Sequence, residues 1–450
     1  MPTTRPSGVS SWSERRAEQH LRSLELFGMR FGLDRMRRMM TVLGSPQRQY
    51  ECIHVLGTNG KTSTTRMTAA ILQRHGLRTA AFTSPHLVSY RERLQIDERE
   101  IDGEELAAAI ARAAWAAERV NRTLAEDDHV TQFELLTAAA LWAIGQRGVD
   151  VAVIEAGLGG RYDATSVIAA RVTALTNVGL EHTRWLGPTV RDIAEEKLAV
   201  VGERATLALG AQLDADALSV AERVAGERGA RLLRAPERPS ARELLAGGEF
   251  QQHNFALAEL VATTFLRDVG LQPRGEAIAE AARATAVRGR LQVVARDPLT
   301  VLDGAHNPHA ARALASSLPP LIGRRPLALV LGVLEDKDAV GMLQALLGIC
   351  ERAWFTAPPG PRALSPAALQ SLARQLGFER AACEPSSQRA LAQAQQWARE
   401  RGDGAVVATG SVYLVGDLLA QLEDGEDVRS APRGQPAGQE SRGARRRAAS

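Results

Sequence analysis

Cysteine is nearly absent from this 450-residue chain, which has only three, Cys52, Cys350 and Cys383. Their odd number and wide separation exclude a disulfide framework and a thiolate metal site, and suit a reducing cytoplasm. Aromatic residues are equally sparse at 4%, so any core must be aliphatic, and the 45% hydrophobic content supplies enough for a globular protein. No apolar run is long enough to span a bilayer, and Met1 to Trp12 lacks a charged start followed by an apolar segment. A broad basic surface is missing too. The formal charge is +3, but Arg429, Arg433, Arg442, Arg445, Arg446 and Arg447 all lie at the carboxyl end, leaving the body near neutral. A nucleic-acid partner is therefore not expected. These absences leave a cytoplasmic, membrane-free protein, expected to be a monomer.

What is present is an alternation of strands and helices too long for one core, since compact domains stop growing at roughly 250 to 300 residues. Apolar residues recur at helical spacing from about Ser13 to Met40, interrupted at Gly28 and Gly32, which predicts two helices around a loop. Strands are predicted at 52–56, 79–82, 151–154, 172–176 and 206–209, with helices at 62–75, 133–145 and 190–200 between them. A second round places strands at 300–302, 327–331, 353–355 and 406–408. Strands separated by helices imply parallel sheets with both faces covered. The expected fold is α/β, a P-loop parallel-sheet ATPase domain followed by a smaller Rossmann-like α/β domain. Expected boundaries are 1–287, 288–424 and a disordered Arg-rich tail over 425–450.

Chemistry concentrates where parallel strands end. Gly57-Thr58-Asn59-Gly60-Lys61-Thr62-Ser63 joins a strand to a helix, so backbone N–H groups and the helix N-terminus can cradle phosphates, with Lys61 neutralising them. The generic phosphate-loop spacing would want glycine at Val55, so the pattern is incomplete. Ser84, Glu155 and Glu181-His182 follow other strands. Singly each has a bland explanation, a turn, a solvated acid or a packing residue. Around a triphosphate, a hydroxyl, a carboxylate and an imidazole make a plausible Mg²⁺ set, because that ion takes few protein ligands and completes its shell with water and phosphate oxygens. Gly157 to Thr165 forms a second glycine-rich loop offering Arg161 and Asp163. In the second round, Asp303-Gly304-Ala305-His306-Asn307-Pro308 repeats the strand-to-helix turn; a helix cap at Asn307 with Pro308 behind it explains part of this, but not Asp303 or His306.

With these segments in view, the chain resembles the folylpolyglutamate synthase and dihydrofolate synthase family of the Mur ligase group. The matching segments run in order from Gly57–Lys61 through Thr83-Ser84-Pro85-His86-Leu87, Glu155–Thr165, Leu180–Gly187 with Glu195-Glu196-Lys197, Gln251–Ala258, Gly289-Arg290, Asp303–Pro308 and Gly332–Asp338 to Pro359–Leu364. The resemblance implies that ATP phosphorylates a folate or pteroate carboxylate and that the amine of L-glutamate displaces phosphate. By position it implies that Thr58, Asn59, Gly60, Lys61, Thr62, Ser63, Asn254, Arg290 and Asp303 contact ATP. It implies Ser84, Glu155 and His182 as ligands of one Mg²⁺, and Lys197 as a carbamylated lysine serving a second. Lys61, Lys197 and His306 would be catalytic. The folate side would be met by Arg30, Gln132, Phe133, Glu134, Arg161 and Asp163.

The chain departs from the family pattern in places. Thr62 follows Lys61 where glycine is usual, Glu181 stands where aspartate is usual, and Arg30 precedes Phe31-Gly32-Leu33 where the bifunctional bacterial enzymes carry an acid. The last change weighs against dihydropteroate as acceptor and favours extension of reduced folates, while Thr131-Gln132-Phe133-Glu134 matches another pterin-side segment and keeps a bifunctional enzyme, acting on dihydropteroate as well, open. Two other readings stay open at this point: a cell-wall precursor ligase, which would need an extra N-terminal domain, and a non-catalytic nucleotide-binding module, which would leave Glu155, His182, Lys197 and the second domain without a purpose.

Overall fold

The structure, a computed structural model, describes residues 12–24, 32–239 and 242–430, with side chains as far as Glu423. Two sheets organise it. The first contains β1 (Glu51–Leu56), β2 (Thr79–Phe82), β3 (Leu94–Ile96), β4 (Arg99–Glu100), β5 (Val151–Glu155), β6 (Ala170–Leu175), β7 (Thr206–Leu209) and β8 (Arg231–Arg234), in the order β4-β3-β2-β5-β1-β6-β7-β8. The second contains β9 (Gln292–Arg296), β10 (Leu299–Leu302), β11 (Leu327–Leu331), β12 (Arg352–Phe355), β13 (Ala381–Cys383) and β14 (Ala405–Thr409), in the order β13-β12-β11-β14-β10-β9. The central strands are parallel, as the alternating pattern predicts. The antiparallel edges, β3 and β4 on one sheet and β9 on the other, are an addition the pattern does not announce. These strands are short or half exposed, so their side chains carry little periodic signal.

Helices α1 (Glu14–Ser23), α2 (Asp34–Val42), α3 (Lys61–Arg74), α4 (Gly103–Asn121) and α5 (Gln132–Arg147) accompany the first strands of the first sheet. Then come α6 (Thr183–Leu186), α7 (Val190–Leu198), α8 (Ala215–Arg228), α9 (Glu249–Asp268) and α10 (Gly275–Ala284). α4 escapes the sequence pattern because alanine fills most of its buried face, and alanine marks a helix face weakly. α5 starts where it does because Thr131 and Glu134 form a reciprocal capping box. β1 and β5 are buried along almost their whole length, so the sheet is covered on both faces: α4 and α5 pack with Ile154 and Phe82 on one, α3, α9 and α10 with Ile53 and Val153 on the other.

The second sheet is wrapped by α11 (Pro308–Ser317), α12 (Pro319–Ile322), α13 (Ala339–Leu346), α14 (Pro366–Gln375), α15 (Ser387–Glu400) and α16 (Val412–Ser430). α16 runs past Gly425, so residues 425–430 are helical rather than part of the expected tail; residues 431–450 lie outside the described residues. The chain crosses between the sheets over residues 285–291. The two units also touch elsewhere. Leu87 packs into the apolar cluster of Leu414, Val415 and Leu418, and a Cβ at Gly416 would collide with the Leu87 carbonyl. Among the described residues no helix is long and apolar enough to cross a membrane.

Candidate active site

Three neighbouring strands of the first sheet, β5, β1 and β6, end at the same place, and the loop 57–60 turns there into α3. Gly60 caps that helix with φ 83°, without a side-chain hydrogen bond to the helix N–H groups. A Cβ at Gly60 would strike Asn254 Oδ1, and one at Gly57 would strike Thr176 Oγ1. Glycine is thus dictated by close approach as well as by the left-handed turn. The loop is braced from β6: the Thr58 N–H donates to the Asn177 carbonyl at 3.0 Å and the Asn59 N–H to Asn177 Oδ1 at 3.0 Å. Lys61 Nζ curls back onto the carbonyls of Gly57 and Thr58, both at 3.1 Å, so its charge sits over the loop mouth.

Beneath the lysine is Glu155, the last residue of β5, 2% exposed. It accepts the Thr62 hydroxyl at 2.9 and 3.0 Å and the Ser84 N–H at 3.1 Å. Burial pushes its carboxyl above the usual range, against the opposing pull of Lys61, the Ser84 N–H, Thr62 and Arg290. Between the two hydroxyls after Lys61, Thr62 faces this carboxylate while Ser63 is buried at 2%.

The second sheet supplies the opposite wall of a cavity of about 770 Å³, which both units line. From the end of β10 come Asp303 to His306, and from the preceding turn comes Arg290. Glu181, in the loop after β6, accepts Lys337 Nζ at 2.9 Å and His306 Nε2 at 3.2 Å. Burial alone would raise its carboxyl, but the hydrogen bond from His306 and the charges of His306, Lys337 and His182 hold it well below the usual range. His182 is pushed down to about 4 by burial and by the charges of Lys337, Lys61 and Lys197 against Glu181, so its ring is neutral near pH 7. The units are stitched at the loop tip, where Asn307 Nδ2 donates to Asn59 Oδ1 at 2.9 Å and Asn59 Nδ2 lies 3.2 Å from His309 Nδ1.

Of the expected site residues, the cavity wall contains Thr58 to Ser63, Ser84, Glu155, His182, Asn254, Arg290, Asp303 and His306. Lys197 lies one layer behind it, fully enclosed, donating to the Leu158 carbonyl at 2.6 Å. Burial and the charge of Lys61 lower its ammonium to about 7.

The folate-side set is brought together less completely. Arg30 lies outside the described residues. Arg161 is not among the residues lining the cavity: its side chain is exposed and directed to Glu196 at 3.9 Å. Three residues reach the wall with their polar atoms engaged elsewhere. Gln132 Nε2 donates to the Leu21 carbonyl at 2.7 Å and so anchors α1. Glu134 takes Arg35 Nε at 3.0 Å and the Thr131 N–H at 2.9 Å. Asp163 holds its own loop through the N–H groups of Gly159 and Thr165. Phe133 keeps its ring on the wall, beside Gly157. Asp303 is likewise engaged, by the N–H groups of Leu291 and Ala305, both at 2.8 Å.

Sequence reasoning missed Lys337, whose only signal was its place in the Gly332–Asp338 segment, and the Arg35–Glu134 pair, where residues 99 positions apart meet. It also missed His54, buried in β1 with Nε2 2.8 Å from Thr165 Oγ1. Among the described residues no three His, Cys, Asp or Glu side chains cluster as a metal site. The Thr62 hydroxyl and the Ser84 N–H nevertheless meet the Glu155 carboxylate at the loop mouth, and Ser84 lines the same cavity; such a set suits Mg²⁺ only when phosphate oxygens complete it.

Comparison with known proteins points the same way. Residues 55–217 match the Mur ligase middle domain, and residues 289–412 match the Mur ligase glutamate ligase domain. The folylpolyglutamate synthase of Lacticaseibacillus casei is 33% identical over 416 residues, covering 87% of this chain and 95% of that protein. The dihydrofolate synthase/folylpolyglutamate synthase of Escherichia coli (strain K12) is 30% identical over 441 residues, 93% of this chain and 96% of that one. Among solved structures, Mycobacterium tuberculosis folylpolyglutamate synthase complexed with ADP superposes with a TM-score of 0.85 at 31% identity, covering 91% of this chain and 98% of that one.

Proposed function

The chain belongs to the folylpolyglutamate synthase and dihydrofolate synthase family, and from that premise we propose that it extends tetrahydrofolate with L-glutamate through an acyl phosphate. At the coarser level it is an ATP-dependent ligase joining glutamate to a folate. The observation that supports ATP-driven ligation is the convergence of Lys61, Thr62, Glu155 and Ser84 of one unit with Arg290 and His306 of the other on one cavity; the choice of tetrahydrofolate follows from Arg30, where the bifunctional enzymes carry an acid.

In this reading ATP lies with its phosphates on the loop 57–63, against Asn254, Arg290 and the turn held by Asp303. Lys61 and Arg290 stabilise the charge that moves as the γ-phosphoryl group passes to the folate carboxylate. The glutamate amine then attacks the acyl phosphate carbon, forming the amide as phosphate leaves, in the space bordered by His306. Ser84, Thr62, Glu155 and neutral His182 would hold Mg²⁺, which would supply positive charge to offset that of the phosphates. Lys197 suits carbamylation: a pKa of about 7 leaves much of its amine neutral, the form that adds CO₂. Its carbamate would supply oxygen ligands for a second Mg²⁺. The folate would lie along Phe133 and the 157–163 loop. The same reading divides the chain into an ATP- and folate-binding unit over 1–287 and a glutamate-ligase unit over 288–424, in a monomeric cytoplasmic enzyme.

Dihydropteroate is the second acceptor to consider, because the similar E. coli enzyme has been solved in complex with DHPP and ADP, with a TM-score of 0.81 to this chain. The deciding experiment incubates the protein with ATP, Mg²⁺ and glutamate plus either tetrahydrofolate or dihydropteroate, and weighs the products. A glutamate added to tetrahydrofolate is expected. Addition to neither acceptor would overturn the reading, and addition to dihydropteroate alone would reverse the substrate choice.

A further inference from the structure

We infer that Glu181 is a positioning residue that ties the second unit to the first, holding Lys337 and His306 in place over the shared cavity. The inference rests on the ligase reading for its kinetic consequence, but its structural content stands apart from it. Glu181 leaves the first unit in the loop after β6, and a single oxygen, Oε1, accepts both Lys337 Nζ and His306 Nε2. Lys337 lies in the turn after β11 and His306 in the turn after β10. One carboxylate therefore fixes two separate turns of the second sheet.

Alternative partners for these two side chains are weaker. The next acid near Lys337 is Asp336, at 3.8 Å, which also faces Arg362 at 3.4 Å. His306 Nδ1 faces the Gly304 carbonyl at 2.9 Å, so with Glu181 present both ring nitrogens meet oxygen acceptors and the ring plane is set. Without Glu181 the lysine and the ring would face each other with no anion between them. The side chains of Glu181 and Lys337 are only 9% and 12% exposed, so water substitutes poorly for the lost carboxylate.

The glutamate is particular to this chain's arrangement. Aspartate, the residue usual at this place in the resembling family, is shorter by about 1.5 Å, one carbon–carbon bond. From the same backbone it would stretch contacts of 2.9 and 3.2 Å beyond hydrogen-bond range. Glu181 also precedes His182, which lines the same cavity and feels the charges of both Lys61 and Lys337.

The test has two arms. In the substrate-free chain, hydrogen exchange at the backbone N–H groups of Glu335 and Lys337 should quicken in Glu181→Gln and Glu181→Asp, with Lys337→Met as a variant from the other side of the contact. In turnover, Glu181→Gln should raise KM for glutamate about tenfold, as expected for a lost buried charge partner, while ADP affinity stays within about twofold. The effects of Glu181→Gln and Lys337→Met should be strongly non-additive. Unchanged exchange in 334–338, or a Glu181→Gln effect that persists in full beside Lys337→Met, would overturn the inference. Wild-type exchange and KM in Glu181→Asp would equally overturn it, because reach would then not matter. A wild-type protein that releases no ADP in response to glutamate would instead sink the ligase reading, and the exchange arm would still decide the role of Glu181.

Discussion

Two strand-to-helix turns face each other across the cavity and solve the same topological problem in opposite ways. The turn from β1 into α3 is closed by glycines, and Gly60 gives the helix no side-chain cap. The turn from β10 into α11 is filled by its own side chains: Asp303 takes two N–H groups and Asn307 accepts the Ala310 N–H at 2.8 Å. A helix N-terminus without a capping side chain offers its donors to an anion. One capped by its own side chain, as α11 is where Asn307 takes the Ala310 N–H, has fewer free donors and presents side chains, here His306 and Asn307. The difference teaches that the repeated α/β pattern does not by itself say where phosphate binds; what the loop does with its N–H groups decides that.

The largest expected effect breaks the first turn alone. Lys61→Ala should lower kcat by roughly 10³-fold or more, the scale of a lost phosphoryl-clamping charge, while circular dichroism and Tm stay near wild type. Substantial turnover would remove the phosphate-cradle assignment and with it the contrast between the turns.

Acid should weaken the first unit through the strand that leads into its turn. Burial holds His54 down to about 4 and His86 down to about 3, from an ordinary 6.5. With the folded pKa below the unfolded one, protons favour the unfolded chain as pH falls. Stability present above about pH 6.5 is therefore lost progressively towards pH 4, by ~3 kcal/mol for His54 alone. Urea titrations of wild type and His54→Gln between pH 7 and 4 would measure it. A loss no smaller in His54→Gln would show that this histidine is not its source.

The next test treats both turns alike. A Cβ on Gly60 meets Asn254 Oδ1, and a Cβ on Gly304 meets Arg290 Nη1. Gly60→Ala and Gly304→Ala should each raise KM for ATP, by about tenfold if the displaced side chain is worth one charge-assisted hydrogen bond. If only Gly60→Ala does so, Arg290 does not share in nucleotide binding.

The smallest effect belongs to the second turn. Asn307→Ala removes a helix cap and the bond to Asn59, and should cost about 1 to 2 kcal/mol in denaturant unfolding. Only a mild rise in KM for ATP should accompany it; a loss of turnover comparable with Lys61→Ala would erase the distinction between the two turns.

Much of the fold was legible in the chain. The apolar runs at 151–154 and 327–331 are buried on both faces, and such strands announce themselves without alternation. The edge strands β3, β4 and β9 are short or half exposed and carry no such mark. Within the site, the strand-to-helix turn at 57–63 was readable because it is built from consecutive residues. Arg161 leaves its loop toward Glu196, because a glycine-rich loop sets where the backbone runs but not which way an arginine leaves it. Gln132, Glu134 and Asp163 look like ligand contacts in sequence, yet in the fold their polar atoms meet Leu21, Arg35 and Gly159.

By itself, then, the sequence determined the α/β class, the glycine loop that joins a strand to a helix at Gly57 to Lys61 and the ligase family, all of which depend on local periodicity or on ordered motifs. Tertiary structure alone decided that Thr62 and not Ser63 faces Glu155, that Lys197 is buried deeply enough to lose its proton near pH 7, and that Glu181 reaches Lys337 and His306. Each of these depends on distances between residues far apart in the chain, and on the desolvation that comes only when separate strands and helices close over a charge.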